Sequence, residues 1–208
     1  MSRRTYVSHV RSEAAAEKRD RVIQAAAQFL RDAESISAFS LDAVAKAAGV
    51  TRLTVYNQFG SRRGLLEAVF DDIAERGRLA RLNDAMAMAD PWRGLDNLIE
   101  IFCDFWNGDP AIGRLHDAAA IDPEFADALL ARNMRRRQAL EELVARMTED
   151  KVARSARRDA VDMVFSLTSC AMFRMLAPGR SAKAVCTLLK GAARAAIERT
   201  CELSEKKA

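Results

Sequence analysis

Between Leu41 and Phe59 two short apolar-patterned segments hinge on one glycine, and this constrains the chain more than any other feature. Ser40 precedes Leu41, Val44, Ala45 and Ala48. Its side chain suits an N-cap, and Asp42 falls in the first turn, where a negative charge is favoured. Gly49 accepts the left-handed conformation that ends a helix. Thr51 can cap a second short helix running to about Gln58. Ala45 is small where the second helix must cross, while Val44, Ala48, Val50 and Val55 supply a shared core that holds the two helices at a fixed angle. The spacing predicts a helix-turn-helix over about 41–60. An αα-hairpin inside a bundle is the plain alternative, but it has no need for a small residue, a glycine and a valine at these offsets.

The flanking periodicity is helical as well. From about Lys18, Val22, Ala26, Phe29, Leu30 and Ala33 share one face, and a polar break follows at Glu34–Ser37. The polar, alanine-rich residues before Lys18 begin with a few expected to form a disordered arm. Ser61 opens a longer helix with Leu66, Val69, Phe70 and Ile73 on one side. Leu95, Leu98, Ile99, Phe102, Phe105 and Trp106 form a stripe stopped at Gly108-Asp109-Pro110, and a short helical piece spans 112–120. Asp122-Pro123-Glu124 is a helix start, with cap, proline and acid in order. That helix continues through Leu140, Leu143, Val144 and Met147. One further helix is expected over 155–176, and a last one from Ser181 to about Leu203 after the Pro178-Gly179 turn.

Nine glycines and four prolines in 208 residues are too few for the turns of an all-β fold. The fold class is therefore all-α: an N-terminal three-helix helix-turn-helix domain, 18–78, joined to a C-terminal helical bundle, 79–208. No stretch approaches ~20 uninterrupted apolar residues, so no membrane partner is expected. The basic Met1–Arg11 segment lacks the apolar stretch of a signal peptide. Cys103, Cys170, Cys186 and Cys201 are widely spaced within apolar helical patterns, which suits buried thiols and a cytoplasmic location better than a disulfide framework.

Charge and outward polarity suggest the chemistry. Residues 1–63 carry eleven Lys and Arg against six Asp and Glu, a net of +5, while the remainder comes to 22 − 23 = −1. A basic head on a near-neutral body suits a polyanion-binding module joined to a neutral one. The polar positions left over on the second helix, Thr51, Arg52, Thr54, Tyr56, Asn57 and Gln58, are those that can face outward. Such a helix fits the major groove of double-stranded DNA. Arg52 can pair with guanine, and Asn57 or Gln58 with adenine. Thr51, Thr54 and the Tyr56 hydroxyl suit phosphate. Arg62 and Arg63 lie where helix-start amides also attract it.

The pattern Phe39-Ser40-Leu41, Ala45, Ala48-Gly49-Val50-Thr51, Thr54-Val55-Tyr56, Phe59, Ser61-Arg62 and Leu65-Leu66 resembles the signature of the tetracycline-repressor (TetR) family over about Lys18–Arg78. The resemblance implies a homodimeric regulator whose C-terminal helices bind a small effector and form the dimer interface. It also implies that Ser40, Thr51, Arg52, Thr54, Tyr56, Asn57 and Arg62 contact DNA. Leu53 departs from it, standing where the family usually has a small residue, often glycine; it can touch a thymine methyl or pack beside the backbone. Release by effector is the expected mode of action, with repression of a palindromic operator; an activator would have the same architecture.

The helix over 155–176 is apolar on two faces: Val161, Val164, Phe165, Thr168, Ala171, Met172 and Met175 form one stripe, and Met163, Leu167 and Cys170 the other. A helix apolar on two faces is buried on two sides. With Val185, Leu188, Leu189, Ala192 and Ala196 of the last helix it is expected to build a four-helix homodimer interface; a wholly intramolecular core is the alternative. Candidates for an effector pocket are Phe102, Phe105, Trp106, His116, Met134, Phe165, Cys170 and Phe173, whose apolar walls suit a hydrophobic or aromatic molecule. The Arg135-Arg136-Arg137 run reads as a solvated helix face.

Three rivals remain. A helical-bundle enzyme is disfavoured, since the chain has two histidines and lacks a phosphate-cradling glycine loop, a Gly-x-Ser-x-Gly elbow, a zinc-binding His-Glu-x-x-His and any Cys-x-x-Cys. No cofactor and no metal is expected. A sequence-neutral DNA-packaging protein would carry a larger basic surplus. A thiol redox-sensing regulator would use Cys103 or Cys170.

Overall fold

The computed structural model describes the backbone of residues 3–32, 35–148 and 152–205, and the side chains of 13–32, 35–148 and 152–200. Among these there are eleven α-helices and no β-strand: α1 Arg3–Asp32, α2 Leu41–Ala48, α3 Arg52–Phe59, α4 Arg62–Arg76, α5 Leu82–Ala87, α6 Pro91–Gly108, α7 Ala111–Ala119, α8 Pro123–Thr148, α9 Arg154–Leu167, α10 Cys170–Leu176 and α11 Ala182–Glu205. Single 3-10 turns at Ile36–Ala38 and Leu79–Arg81 complete the described path. The all-α class is as expected. No helix among the described residues is long and apolar enough to cross a membrane.

Several boundaries differ from the periodicity. α1 begins at Arg3 rather than about Lys18. Its early turns hold no glycine or proline and include Ala14, Ala15 and Ala16, so propensity sustains the helix where no apolar face marks it. Of the arm expected ahead of it, Met1 and Ser2 lie outside the described residues, as do Ala33, Glu34 and the side chain of Cys201. The helix expected over 155–176 is two helices. Thr168 Oγ1 donates back to the Val164 carbonyl, 2.9 Å, and Ser169 Oγ accepts from the Met172 amide, 3.1 Å, capping α10. Hydroxyl groups that satisfy backbone locally compete with an unbroken ladder.

The chain forms two compact units. The first comprises the chain to Ile73 together with Pro110–Ala126, so α7 belongs with the N-terminal helices rather than with the bundle that follows them in sequence. Its interior holds Val22, Ala26 and Leu30 of α1, Val44 and Ala45 of α2, Val55 of α3, and Leu65, Leu66 and Val69 of α4, all buried. Helix α1 packs on α2 and α7, and α2 on α3.

The second unit comprises Ala74–Asp109 and the chain from Asp127 onward. Its core joins Leu95, Leu98, Ile99 and Phe102 of α6 to Leu140, Leu143 and Val144 of α8, Val161 and Val164 of α9, and Val185, Leu189, Ala193 and Ile197 of α11. This alters the expected dimer face. Val161, Val164, Thr168, Val185 and Leu189 are covered by the chain's own core, because α9 and α11 pack on each other. Phe165, Met172, Ala192 and Ala196 are partly exposed, and Leu188 is exposed. Periodicity shows that a face is apolar; it does not show what covers it.

Candidate nucleic-acid interface

Local backbone chemistry builds the helix pair. Ser40 Oγ accepts the Ala43 amide, 3.1 Å, and starts α2. Gly49 then turns at φ 67°, a left-handed position open to glycine, and the Val50 amide closes the turn on the Ala45 carbonyl at 3.0 Å. Thr51 Oγ1 accepts the Thr54 amide, 3.1 Å, and starts α3. Each cap satisfies an amide that the first helical turn cannot, worth about 1 kcal/mol. With only eight residues apiece, α2 and α3 depend on these caps and on Val44, Ala45, Val55 and Phe59 packed beneath them.

With Val55 and Phe59 inward, the other side of α3 is open. Thr51, Arg52, Leu53, Tyr56 and Asn57 are exposed, Leu53 and Tyr56 at 65% and 56%. Thr54 and Gln58 are partly buried. Arg52 Nη1 lies 3.3 Å from Asp42 Oδ2, both side chains well exposed. A pair so solvated is worth about 0–1 kcal/mol, so another anion can replace Asp42 at little cost. The Thr51 and Thr54 hydroxyls are 2.9 Å apart and share one proton between them, which leaves the other free to donate outward. Gln58 turns the other way: its Oε1 is buried without a hydrogen-bond partner, and its backbone carbonyl takes Arg19 Nη1 at 3.0 Å. Arg19 also lies 4.5 Å over the Phe59 ring. It fastens the end of α3 to α1, a role that its place on a polar helix face did not suggest.

The two arginines at the start of α4 separate. Arg63 is exposed and pairs with Glu67 at 2.7 Å. Arg62 is turned inward. Its Nε donates to the Phe39 carbonyl at 3.3 Å, its Nη1 meets Asp122 Oδ2 at 2.7 Å, and its guanidinium lies 5.7 Å from the Phe39 ring. Asp122 Oδ1 meanwhile accepts the Phe125 amide at 3.0 Å. One carboxylate therefore caps α8 and holds the start of α4. Asp122 was legible as a cap, but its partner sixty residues away was not.

The expected effector residues scatter. Phe105 and Phe173 are buried, Met134 is exposed, and His116, in the first unit, places Nδ1 3.0 Å from the Ile112 carbonyl of its own helix. Phe102, Trp106 and Phe165 come together around Arg136. This arginine is 6% exposed, so the solvated-face reading of the arginine run fails at its middle member. Trp106 Nε1 and Arg136 Nη1 donate to the same acceptor, the Thr168 carbonyl where α9 ends. The signal was one of position: Leu129, Leu140 and Leu143, all buried, stand seven residues before, four after and seven after Arg136. Cys103 and Cys186 share a hydrogen bond, and burial pushes both thiols above their ordinary range. Neither is a ready nucleophile.

Residues 23–69 match the family model described as bacterial regulatory proteins, tetR family. Over 111 residues the chain is 33% identical to the HTH-type transcriptional regulator EthR of Mycolicibacterium smegmatis; the match covers 52% of this chain and 51% of that protein, about half the length of each. Two solved structures share the fold. One is a Rhodococcus sp. protein assigned to the TetR-family transcriptional regulators, with TM-score 0.66 and 21% identity over 87% of this chain and 99% of that one. The other is a TetR/AcrR-family transcriptional regulator from Thermobifida fusca, with TM-score 0.61 and 19% identity over 87% and 97%. At such identities the structural likeness speaks for the fold alone. The capped helix pair on α2 and α3 falls inside residues 23–69, the segment that matches the tetR family of bacterial regulatory proteins.

Proposed function

We propose that the protein is a homodimeric transcription regulator that binds a palindromic operator through α3 and releases it when a small apolar or aromatic molecule enters the second unit. The observation that carries this reading is the open side of α3: Arg52, Leu53, Tyr56 and Asn57 exposed on a helix whose opposite side is anchored by Val55 and Phe59. Such a helix enters the major groove by its N-terminal residues. Arg52 reads guanine, Asn57 reads adenine, and Leu53 meets a thymine methyl. The spare Thr51 or Thr54 hydroxyl, Arg63 and the start of α4 hold phosphates. Arg62 serves as a brace behind this surface, since its guanidinium is occupied by Asp122 and Phe39.

Dimerisation falls to the side of α11 that the chain leaves open. Ala184, Leu188, Gly191 and Ala195 are exposed at i, i+4, i+7 and i+11, and Met163 of α9 is 55% exposed. The small residues permit close approach of a second α11. A two-fold dimer presents two copies of α3 about one helical turn of DNA apart, ~34–36 Å. Effector binding would spoil that spacing by shifting α4. The repressor reading is preferred to activation because release on binding requires only this displacement.

The test is operator affinity. Genomic fragments selected by the protein give the operator, and mobility shifts then compare variants. Asn57→Ala should weaken binding about tenfold or more, at about 1–3 kcal/mol per base contact, and Tyr56→Ala should weaken it by loss of a phosphate contact, both with unchanged melting because both side chains are exposed. Parent-like affinity in both variants would mean that α3 does not read DNA.

A further inference from the structure

We propose that Arg136 is the anion-binding group of the effector site, and that the effector is a monocarboxylate with an apolar or aromatic body. This deepens the effector-release reading and rests on it.

The three consecutive arginines of α8 have three different fates. Arg135 is exposed, and Arg137 is engaged by Glu141 at 3.1 Å and Asp162 at 2.5 Å. Arg136, between them, is buried, and no carboxylate of the described residues pairs with it. Its Nη1 donates to the Thr168 carbonyl, and its Nε is buried with no hydrogen-bond partner. Aromatic rings surround it: Phe165 at 4.4 Å, Phe102 at 5.5 Å, and Trp106, bound to the same carbonyl.

Buried charges are ordinarily paired, because an isolated one loses its hydration without return. Burial pushes Arg136 down to about 10, so it still carries its proton at neutral pH. The rings offer their faces to the cation but accept no N–H bond along the guanidinium edge. A carboxylate does, through two parallel bonds that match the guanidinium fork. The other service Arg136 performs, donating to the carbonyl at the end of α9, is favourable at a helix C-terminus but uses one nitrogen and leaves Nε unmet.

The surroundings narrow the ligand class. With Arg137 engaged by Glu141 and Asp162, Arg136 offers a single charge unmatched by any carboxylate among the described residues, so a dianion such as a phosphate monoester would bring a second, uncompensated charge into an aromatic setting. One carboxylate on a hydrocarbon or aryl body leaves no charge unmet, and its body lies against Phe102, Trp106 and Phe165.

Calorimetry of the full-length protein with octanoate and hydrocinnamate, each against its primary amide, tests this without DNA. Both acids should bind at least tenfold more tightly than the amides. Arg136→Gln should abolish that preference, and Arg136→Lys should keep part of it. If Arg136→Gln does not fold, the acid-against-amide comparison on the parent decides. Equal binding of acid and amide, no binding of either acid, or full preference retained in Arg136→Gln overturns the proposal. Operator mobility shifts, run separately, distinguish the two readings. Acids that bind without loosening DNA refute effector release but leave the carboxylate site standing. Neutral molecules that loosen DNA where the acids do not bind refute the carboxylate site alone.

Discussion

Gly64 lies in the first turn of α4, where replacing glycine with alanine ordinarily favours a helix by about 1 kcal/mol. Gly64→Ala should do the reverse. A Cβ at this position would stand 2.1 Å from the Phe59 carbonyl oxygen and 3.2 Å from its carbon. Comfortable carbon–oxygen contacts lie at about 3.3–3.6 Å, so the last turn of α3 must retreat by roughly 1 Å. That turn carries the Phe59 ring, which is buried and covered by Arg19. Forcing a methyl into such a junction costs about 3 kcal/mol, the upper end for overpacking, because backbone rather than a flexible side chain must move. Subtracting the propensity gain leaves a loss of about 2 kcal/mol, or roughly 4–8 °C in Tm for a chain of this size. Urea unfolding followed by circular dichroism measures it. Gly108→Ala is the control, since its Cβ meets nothing within 4 Å in the last turn of α6; it should stabilise the chain by up to about 1 kcal/mol. A Gly64→Ala protein as stable as the parent would refute the close approach of α3 and α4 on which the orientation of the reading helix depends.

Three other outcomes follow from particular contacts. Asp122→Ala should cost about 2–3 kcal/mol and Asp122→Asn about 1–2, since asparagine keeps the cap on Phe125 but loses the charge facing Arg62; a double-mutant cycle with Arg62→Met in urea should give a coupling of about 1 kcal/mol or more, and strict additivity would contradict the pairing. Cys103 is held above its ordinary pKa of 9.0 by burial, so the folded state keeps a proton that the unfolded chain releases first; stability is whole below about pH 9 and falls as pH rises beyond it. Urea midpoints on either side of that value should fall less in Cys103→Ala than in the parent. Leu188→Glu should shift the sedimentation of the protein towards monomer with little change in its helical content; an unaltered dimer would place the interface elsewhere.

The parts of the molecule legible in the sequence are those whose cause is local. Ser40, Gly49 and Thr51 each act on amides or carbonyls within a few residues, and their spacing alone marks α2 and α3. α5 leaves no periodic trace in the sequence, because its six residues are too few for a period to show. The break between α9 and α10 had a local trace in Thr168 and Ser169, outweighed by an apolar stripe that runs on across it. Arg62 reads as a phosphate contact until Asp122, distant in sequence, is found at 2.7 Å. Residue type alone marks Arg136 as solvated, whereas its helical position places it among buried leucines. Of the face of α9 and α11 assigned to a second chain, Val161, Val164, Thr168, Val185 and Leu189 are covered within the chain itself, because an apolar pattern carries no record of its partner.

The brevity of α3 has a practical consequence. Helices under roughly 12–15 residues are marginal in water on their own, and this one has eight. A synthetic peptide copied from Leu41–Gly60 would therefore dissolve as a largely unstructured chain, and transplanting those residues onto another scaffold would carry the letters without the shape. Any graft of this surface must bring the Arg19 clasp and the Gly64 corner with it, since the order in α3 is lent by its neighbours.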